Sequence, residues 1–277
     1  MKKFLTLTMM LLLLCGLSCG IALADGAEID AIVTIADQNG KLALSAEFIK
    51  VTDIDGDGKL TVNDALYCAH EQKFSGGAAA GYLSEMTEYG LSLKKLWGFD
   101  NGTGYGYYVN NAAAMSLADE IHQGDYINAF IYTDTTGWSD AYCYFDAGAV
   151  GAYTGDSFDL KLTAVGFDES YNTVLKPVEG ATILVDGQAI DTTTDKDGKV
   201  TLSFDKKGFH IISAKSDSMI LVPPACRVDI MEKEEPPVDK PADDTPKTGD
   251  TEQLAIIAII AVAALAGIVL VKRDRAA

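Results

Sequence analysis

Histidine is almost missing from this sequence, with 3 in 277 residues. His70, His122 and His210 fall in separate elements and lack the spacing of a metal site, so each reads as a half-buried helix or strand residue. Beyond the first 24 residues there is no Gly-x-Ser-x-Gly elbow, and nowhere a phosphate loop, an HExxH pair or a Cys-His constellation. A glycosidase needs two carboxylates facing a cleft at about 5 to 9.5 Å, and short β-rich segments do not suggest one. The expectation is a protein that is not an enzyme.

Basic residues are also scarce. Lys and Arg number 22 against 40 Asp and Glu, a formal net charge of −18. Such a surface repels nucleic acid and anionic lipid and favours cations, so nucleic acid is excluded as a partner. Cysteine is sparse too. Once an N-terminal leader is removed, Cys68, Cys143 and Cys226 remain. An exported compartment permits disulfides, and an odd count leaves one thiol over. Cys143, in an aromatic strand-like segment, is expected to pair with Cys226, which follows a Pro-Pro turn. Cys68 is then a small buried residue on a helix.

Both ends of the chain speak about location. Lys2 and Lys3 precede an apolar run through Leu11–Leu14, and Ala22-Leu23-Ala24 supplies small residues for cleavage after Ala24. This is the pattern of a signal peptide, residues 1–24. At the other end, Leu254 to Val271 is 18 residues without a charged or polar side chain. As a helix it is about 27 Å long, just enough to span a bilayer core. Lys272-Arg273-Asp274-Arg275 follows and should stay on the cytoplasmic side. Upstream, Glu232 to Lys247 is Pro, Glu, Asp and Lys with hardly an apolar side chain, an extended stalk.

Thr245-Pro246-Lys247-Thr248-Gly249-Asp250, the apolar span and the basic tail, in that order, resemble the cell-wall sorting signal of Gram-positive surface proteins, here over residues 245–277. The resemblance implies sortase as a partner, cleavage between Thr248 and Gly249, and covalent attachment to peptidoglycan through Thr248. Position one of the signal is Thr245 where Leu is usual, a variant. Everything upstream would be displayed outside the cell, in the wall of a Gram-positive bacterium.

The sharpest chemical motif runs from Asp53 to Asp64. Asp53, Asp55 and Asp57 stand at positions 1, 3 and 5 of a twelve-residue calcium loop, so alternate side chains converge on one point. Gly58 at position 6 permits the sharp turn, Lys59 offers its backbone carbonyl at 7, and Leu60 at 8 anchors the loop in the core. Thr61 at 9 binds directly or through water. Asp64 replaces the bidentate Glu at 12 and reaches less far, so the site should be weak, in the range typical of extracellular modules. Ca2+ is the cofactor expected. A strand enters this loop and a helix, Ala65–Lys73, leaves it. That one-sided arrangement resembles a single dockerin-type repeat. A cohesin-gripping dockerin has two, and the nearest second candidate, Thr194–Lys199, reads as a hairpin turn.

The calcium loop sits in a first domain, residues 25–146. Ala31–Ile35 and Leu42–Ile49 flank Asn39-Gly40, a strong hairpin signal, and Gly76–Gly81 reads as a flexible connector. With Gly106-Tyr107-Tyr108-Val109-Asn110 and Gly124-Asp125, the stretch from about Ala31 to Phe145 resembles the C-terminal domain family of transcobalamin and intrinsic factor. This implies a β-grasp-like α+β fold in which a sheet wraps one helix. In vitamin carriers such a domain caps cobalamin together with a helical domain, and this chain has no helical domain.

A second domain, residues 147–231, has Ser157–Ala164 alternating at period two, with further strand candidates at Ala181–Val185, Lys199–Phe204 and Phe209–Ala214. Asp186-Gly187 and Asp197-Gly198 supply turns, and the whole resembles bacterial immunoglobulin-like spacer domains. The fold class expected is thus mainly β. Aromatics offer a second candidate site. Trp97, Tyr107, Tyr108 and Trp138 are candidates to stack on a ligand if exposed, or core if buried. Alternation of Tyr142 and Tyr144 with Cys143 and Phe145 puts two rings or thiols on each face, so some must be core. The expected role is ligand binding or adhesion, the ligand being a glycan, a host protein or a corrinoid. The alternative is surface capture of a small cofactor such as cobalamin.

Overall fold

The computed structural model describes residues 28–100, 104–170 and 172–233. The signal peptide, nearly all of the stalk, the sorting signal with Thr248 and Gly249, and the apolar span lie outside the described residues. Within them no helix is long and apolar enough to cross a membrane.

The described residues begin with β1 (Glu28–Ala36) and β2 (Leu42–Thr52), joined as an antiparallel hairpin at the expected Asn39-Gly40 turn. Gly40 has φ +65, which only a residue without Cβ adopts freely. The helix α1 (Val62–Lys73) follows and lays Val62, Ala65, Leu66 and Ala69 on the sheet, all at 0 % exposure. Each large apolar side chain so buried contributes about 1.5–3 kcal/mol. The expected connector is instead a short helix, α2 (Gly77–Gly81), entered through Gly76 in the left-handed region. A separate ribbon, β3 (Leu83–Thr87) with β4 (Gly90–Lys95), comes next.

Strands β5 (Tyr105–Val109), β6 (Ala112–Ala113) and β7 (Tyr126–Ile131) complete the first sheet, in the order β2-β1-β7-β5-β6. β1 and β7 run parallel at its centre, Val33 opposite Ile127 and Ile35 opposite Ala129. A hairpin, one packed helix and a parallel central pair make a β-grasp arrangement, as expected.

The second half is a sandwich of the immunoglobulin-like kind. One sheet is built on β10 (Ser157–Phe167), which pairs β11 (Thr173–Pro177), β14 (Lys199–Ser203) and β8 (Cys143–Phe145). The other has the order β13 (Gln188–Thr193), β12 (Thr182–Val185), β15 (Gly208–Lys215), β16 (Cys226–Met231), β9 (Ala149–Tyr153). Leu160, Leu162, Ile183, Ile212 and Val228, from both sheets, meet in its core. Asp186 and Gly187, both at positive φ, turn β12 into β13. The Thr194–Lys199 turn is not a hairpin: β13 and β14 lie in different sheets, so it arches between them.

The domain boundary expected at residues 146–147 falls inside the sandwich, because Cys143, Tyr144 and Phe145 pair with Ala164, Thr163 and Leu162 of β10. The alternation read from the sequence holds. Cys143 and Phe145 point into the sandwich core, while Tyr142 and Tyr144 join a third cluster with Tyr108, Phe130, Val165 and Val222. That cluster bridges the grasp module and the sandwich.

The disulfide expected between Cys143 and Cys226 is absent. All three described cysteines are free and buried. Cys143 and Cys226 sit on opposite sheets of the sandwich, and the Cys143 thiol is engaged by the Val222 carbonyl at 3.2 Å. Burial pushes the Cys226 thiol up to about 12, with the Asp146 charge adding to it, so at neutral pH it is protonated and inert.

Candidate metal centre and aromatic surface

The loop between β2 and α1 follows from its own residues. Asp53 Oδ1 accepts the N–H of Gly56 at 2.7 Å and Oδ2 that of Gly58 at 2.8 Å. Gly56 and Gly58 have φ +75 and +84, and a Cβ on either would meet nothing within 4 Å, so what they supply is backbone conformation rather than space. Asp55 accepts from Asp57 N–H and Asp57 from Lys59 N–H, a ladder of turns that curls the chain around its own carboxylates.

As a result one oxygen each of Asp53, Asp55 and Asp57 lie within 4.8 Å of one another. Backbone N–H groups, Gly58 first and Gly56 with it, hold the Asp53 carboxyl below its ordinary range. Asp55 is raised instead: the Asp57 N–H pulls it down, but desolvation and the charges of Asp57 and Asp64 outweigh that pull. Three hard oxygen donors that repel one another are a donor set suited to a hard divalent cation. The residues present fit calcium.

The remaining positions divide. Leu60 packs against the grasp core as position 8 was expected to do. Thr61 and Asp64 instead form a capping box: the Thr61 hydroxyl accepts the Asp64 N–H at 3.4 Å, and Asp64 Oδ2 accepts the Thr61 N–H at 2.8 Å and its hydroxyl at 2.6 Å. Asp64 Oδ1 accepts the N–H of Ile54 at 3.0 Å, tying the head of the loop to the head of the helix. At 1 % exposure Asp64 stands apart from the three clustered carboxylates.

The loop's far wall was not legible in the sequence. Thr61 bridges Glu120, Leu60 carbonyl accepts the Ile121 N–H at 2.8 Å, and Lys59 pairs with the Glu120 carboxylate. Asn63 receives the Tyr82 hydroxyl at 2.8 Å. These braces come from distant segments, and no local pattern announces them.

The four candidate stacking residues do not converge. Tyr108 is buried, its ring stacked on Tyr142 at 3.6 Å between centroids and 8° between planes. Trp97 packs on His70 and Phe74, and Tyr107 on the grasp core. Trp138 alone among them is exposed, at 46 %, its ring edge-on to Tyr132 at 5.1 Å. Three of the four therefore serve packing.

No protein-family model matches the chain, and no curated protein matches it. Solved structures do align. The fibronectin(III)-like modules of Clostridium thermocellum CbhA align at 15 % identity over 74 % of this chain and 91 % of that one, with a TM-score of 0.26. The tandem Ig repeats of Dlar align at 9 % identity over 75 % of this chain and 98 % of that one, TM-score 0.25. The N-terminal four Ig domains of Dscam1 isoform 7.44 align at 8 % identity over 75 % of this chain and 47 % of that one, TM-score 0.22, so the chain spans about half their length. Likeness this slight carries no argument; the architecture rests on the strand pairing.

Proposed function

We propose that this chain is a non-enzymatic binding or adhesion module that carries a calcium ion in its Asp53–Asp64 loop and is displayed on a Gram-positive cell wall. The observation that carries the calcium assignment is the convergence of Asp53, Asp55 and Asp57 where β2 gives way to α1. With calcium bound, the mutual repulsion of these carboxylates becomes attraction, and the start of α1 is held to the sheet. Calcium here is a brace, in keeping with a single dockerin-like loop that lacks the second repeat needed for a cohesin. The signal peptide and sorting signal read from the two ends support display, with sortase and peptidoglycan as partners through Thr248.

The β-grasp order supports the transcobalamin-type resemblance and keeps corrinoid capture as the second reading. That reading asks for a closed apolar cleft. The described cleft, lined by Gln38–Gly40, Thr133 and Ala214–Leu221, is open and mixes apolar side chains with amides, hydroxyls and the charged Lys215 and Asp217, which favours the adhesion reading.

Calorimetry on the exported chain tests both. Calcium should bind in the range of extracellular modules, roughly 10⁻⁴ to 10⁻³ M. The heat should vanish in Asp53→Ala and in Asp55→Ala while circular dichroism at neutral pH is retained. No calcium heat in the parent chain defeats the assignment, and cobalamin heat in the calcium-loaded chain moves the function to capture.

A further inference from the structure

A cleft of about 500 Å³ opens between the tip of the β1–β2 hairpin and the segment that follows β15. That volume is within the range of small-molecule sites, about 300 to 1,000 Å³. One side holds Gln38 and Asn39, the other Ser216 and Ser218, whose hydroxyls lie 3.0 Å apart. Met219 and Ile220, 42 % and 41 % exposed, add apolar surface beside these polar groups.

Two further features bear on this place: Gln38, which lines it, and the loop that starts at its wall residue Thr133. Gln38 Oε1 is, among the described residues, a buried side-chain oxygen with no hydrogen-bond partner. An unmet acceptor of this kind is unfavourable until a donor reaches it. Gln38 itself is only half-buried and lines the cleft, so its amide is a polar group that a ligand there can meet.

The second feature is Trp138. Its loop leaves the cleft wall at Thr133 and returns at Ala141, whose N–H donates to Ile220 carbonyl at 2.7 Å. The Asp134 carboxylate accepts N–H groups of Thr136 and Gly137 and the Ser139 hydroxyl, while Asp140 accepts from Thr133 and Asp134. Trp138 is held by this cage at φ +53, a conformation bulky residues rarely adopt, with its ring exposed.

We propose that this cleft, together with the Trp138 loop that leaves its wall at Thr133, is a binding site for a neutral oligosaccharide. Amide and hydroxyl groups match sugar hydroxyls. Met219, Ile220 and the indole match the apolar faces of sugar rings. The net charge of −18 argues against sulfated or otherwise anionic glycans. The site rests on the binding-module reading and names its ligand class.

The test is an array of neutral oligosaccharides (malto-, cello- and xylo-series) probed with the full calcium-loaded chain, with hits titrated by tryptophan fluorescence. The expected result is retention of one neutral series. Gln38→Leu and Trp138→Ala should each weaken it roughly tenfold, and Met219→Arg, which fills the cleft, should abolish it. Unfolding midpoints of all three variants should match the parent. Unchanged binding in the three variants, retention of sulfated glycans alone, or retention of none would overturn the site. Calcium heat measured on the same sample reports separately on the calcium-braced reading.

Discussion

His70 has no exposed surface, and both of its ring nitrogens are spoken for. Nδ1 donates to the Leu66 carbonyl at 2.6 Å, and Nε2 accepts the Trp97 N–H at 2.8 Å. That second bond requires an unprotonated nitrogen, and burial pushes the imidazole down from 6.5 to about 4, the Leu66 carbonyl opposing only in part. Between those two values the unfolded chain binds a proton that the folded chain refuses. Stability is therefore full above the unfolded value and falls as pH drops from 6.5 toward about 4, by roughly 3 kcal/mol. Urea titrations at about pH 7 and pH 4.5 should show this loss, and His70→Gln should flatten it. Carboxylates such as Asp134, held at about 2 by the Gly137 N–H, the Ser139 hydroxyl and further loop N–H groups, add their own loss only below their ordinary 3.8. From the sequence His70 read as a half-buried helix residue. Its partner Trp97 lies beyond a ribbon strand, and helical spacing says nothing about what a helix face will meet.

At the scale of elements, the acidic loop's geometry was legible and its closure was not. A pattern at fixed offsets is local, so positions 1, 3, 5 and 6 translated directly into the clustered carboxylates and the positive-φ Gly58, while Gly56 at position 4, also at positive φ, was not singled out. Asp64 was assigned by the same offsets to the metal. Yet it is also the third residue of a helix whose cap is Thr61, and the capping box claims its carboxylate. Thr61→Ala should cost about 1 kcal/mol as a lost N-cap, and it should also loosen Asp64. A lower unfolding midpoint with calcium affinity changed by less than in Asp53→Ala would mark Thr61 as a cap rather than a ligand; equal losses would make it a ligand. Strands with period-two alternation were found near their expected places because each carries its own burial pattern. β8 went to the wrong domain because its pairing partner, β10, decides its allegiance, and a three-residue strand has too little pattern to declare it.

On the scale of the whole molecule, the seam between the modules decides whether this is two domains on a string or one body. The seam is aromatic: Tyr142, 3 % exposed, lies flat on Tyr108, close to Phe130, and its hydroxyl donates to Asn111 at 2.8 Å. Nearby, the Arg227 guanidinium of β16 lies 5.5 Å from the Phe48 ring of β2 and 4.3 Å from Phe209, a second pin between modules. Inter-domain interfaces are commonly polar and allow motion; this one buries rings as a core does. The described residues accordingly fall in one compact unit, and thermal unfolding should be a single transition. Tyr142→Ala removes the central ring, so it should cost roughly 3–5 kcal/mol. Because the grasp and sandwich cores are each intact in that variant, the loss should fall on their coupling. Calorimetry would then resolve two transitions where the parent has one. A lower midpoint that remains single would mean that the sandwich and the grasp module depend on each other through more than this stack. Two transitions in the parent would mean that the aromatic seam does not couple them at all. The cleft that holds Gln38 and Ser216 lies across the same seam, so a variant that uncouples the modules should also blunt any saccharide binding there, without touching the Asp53 loop.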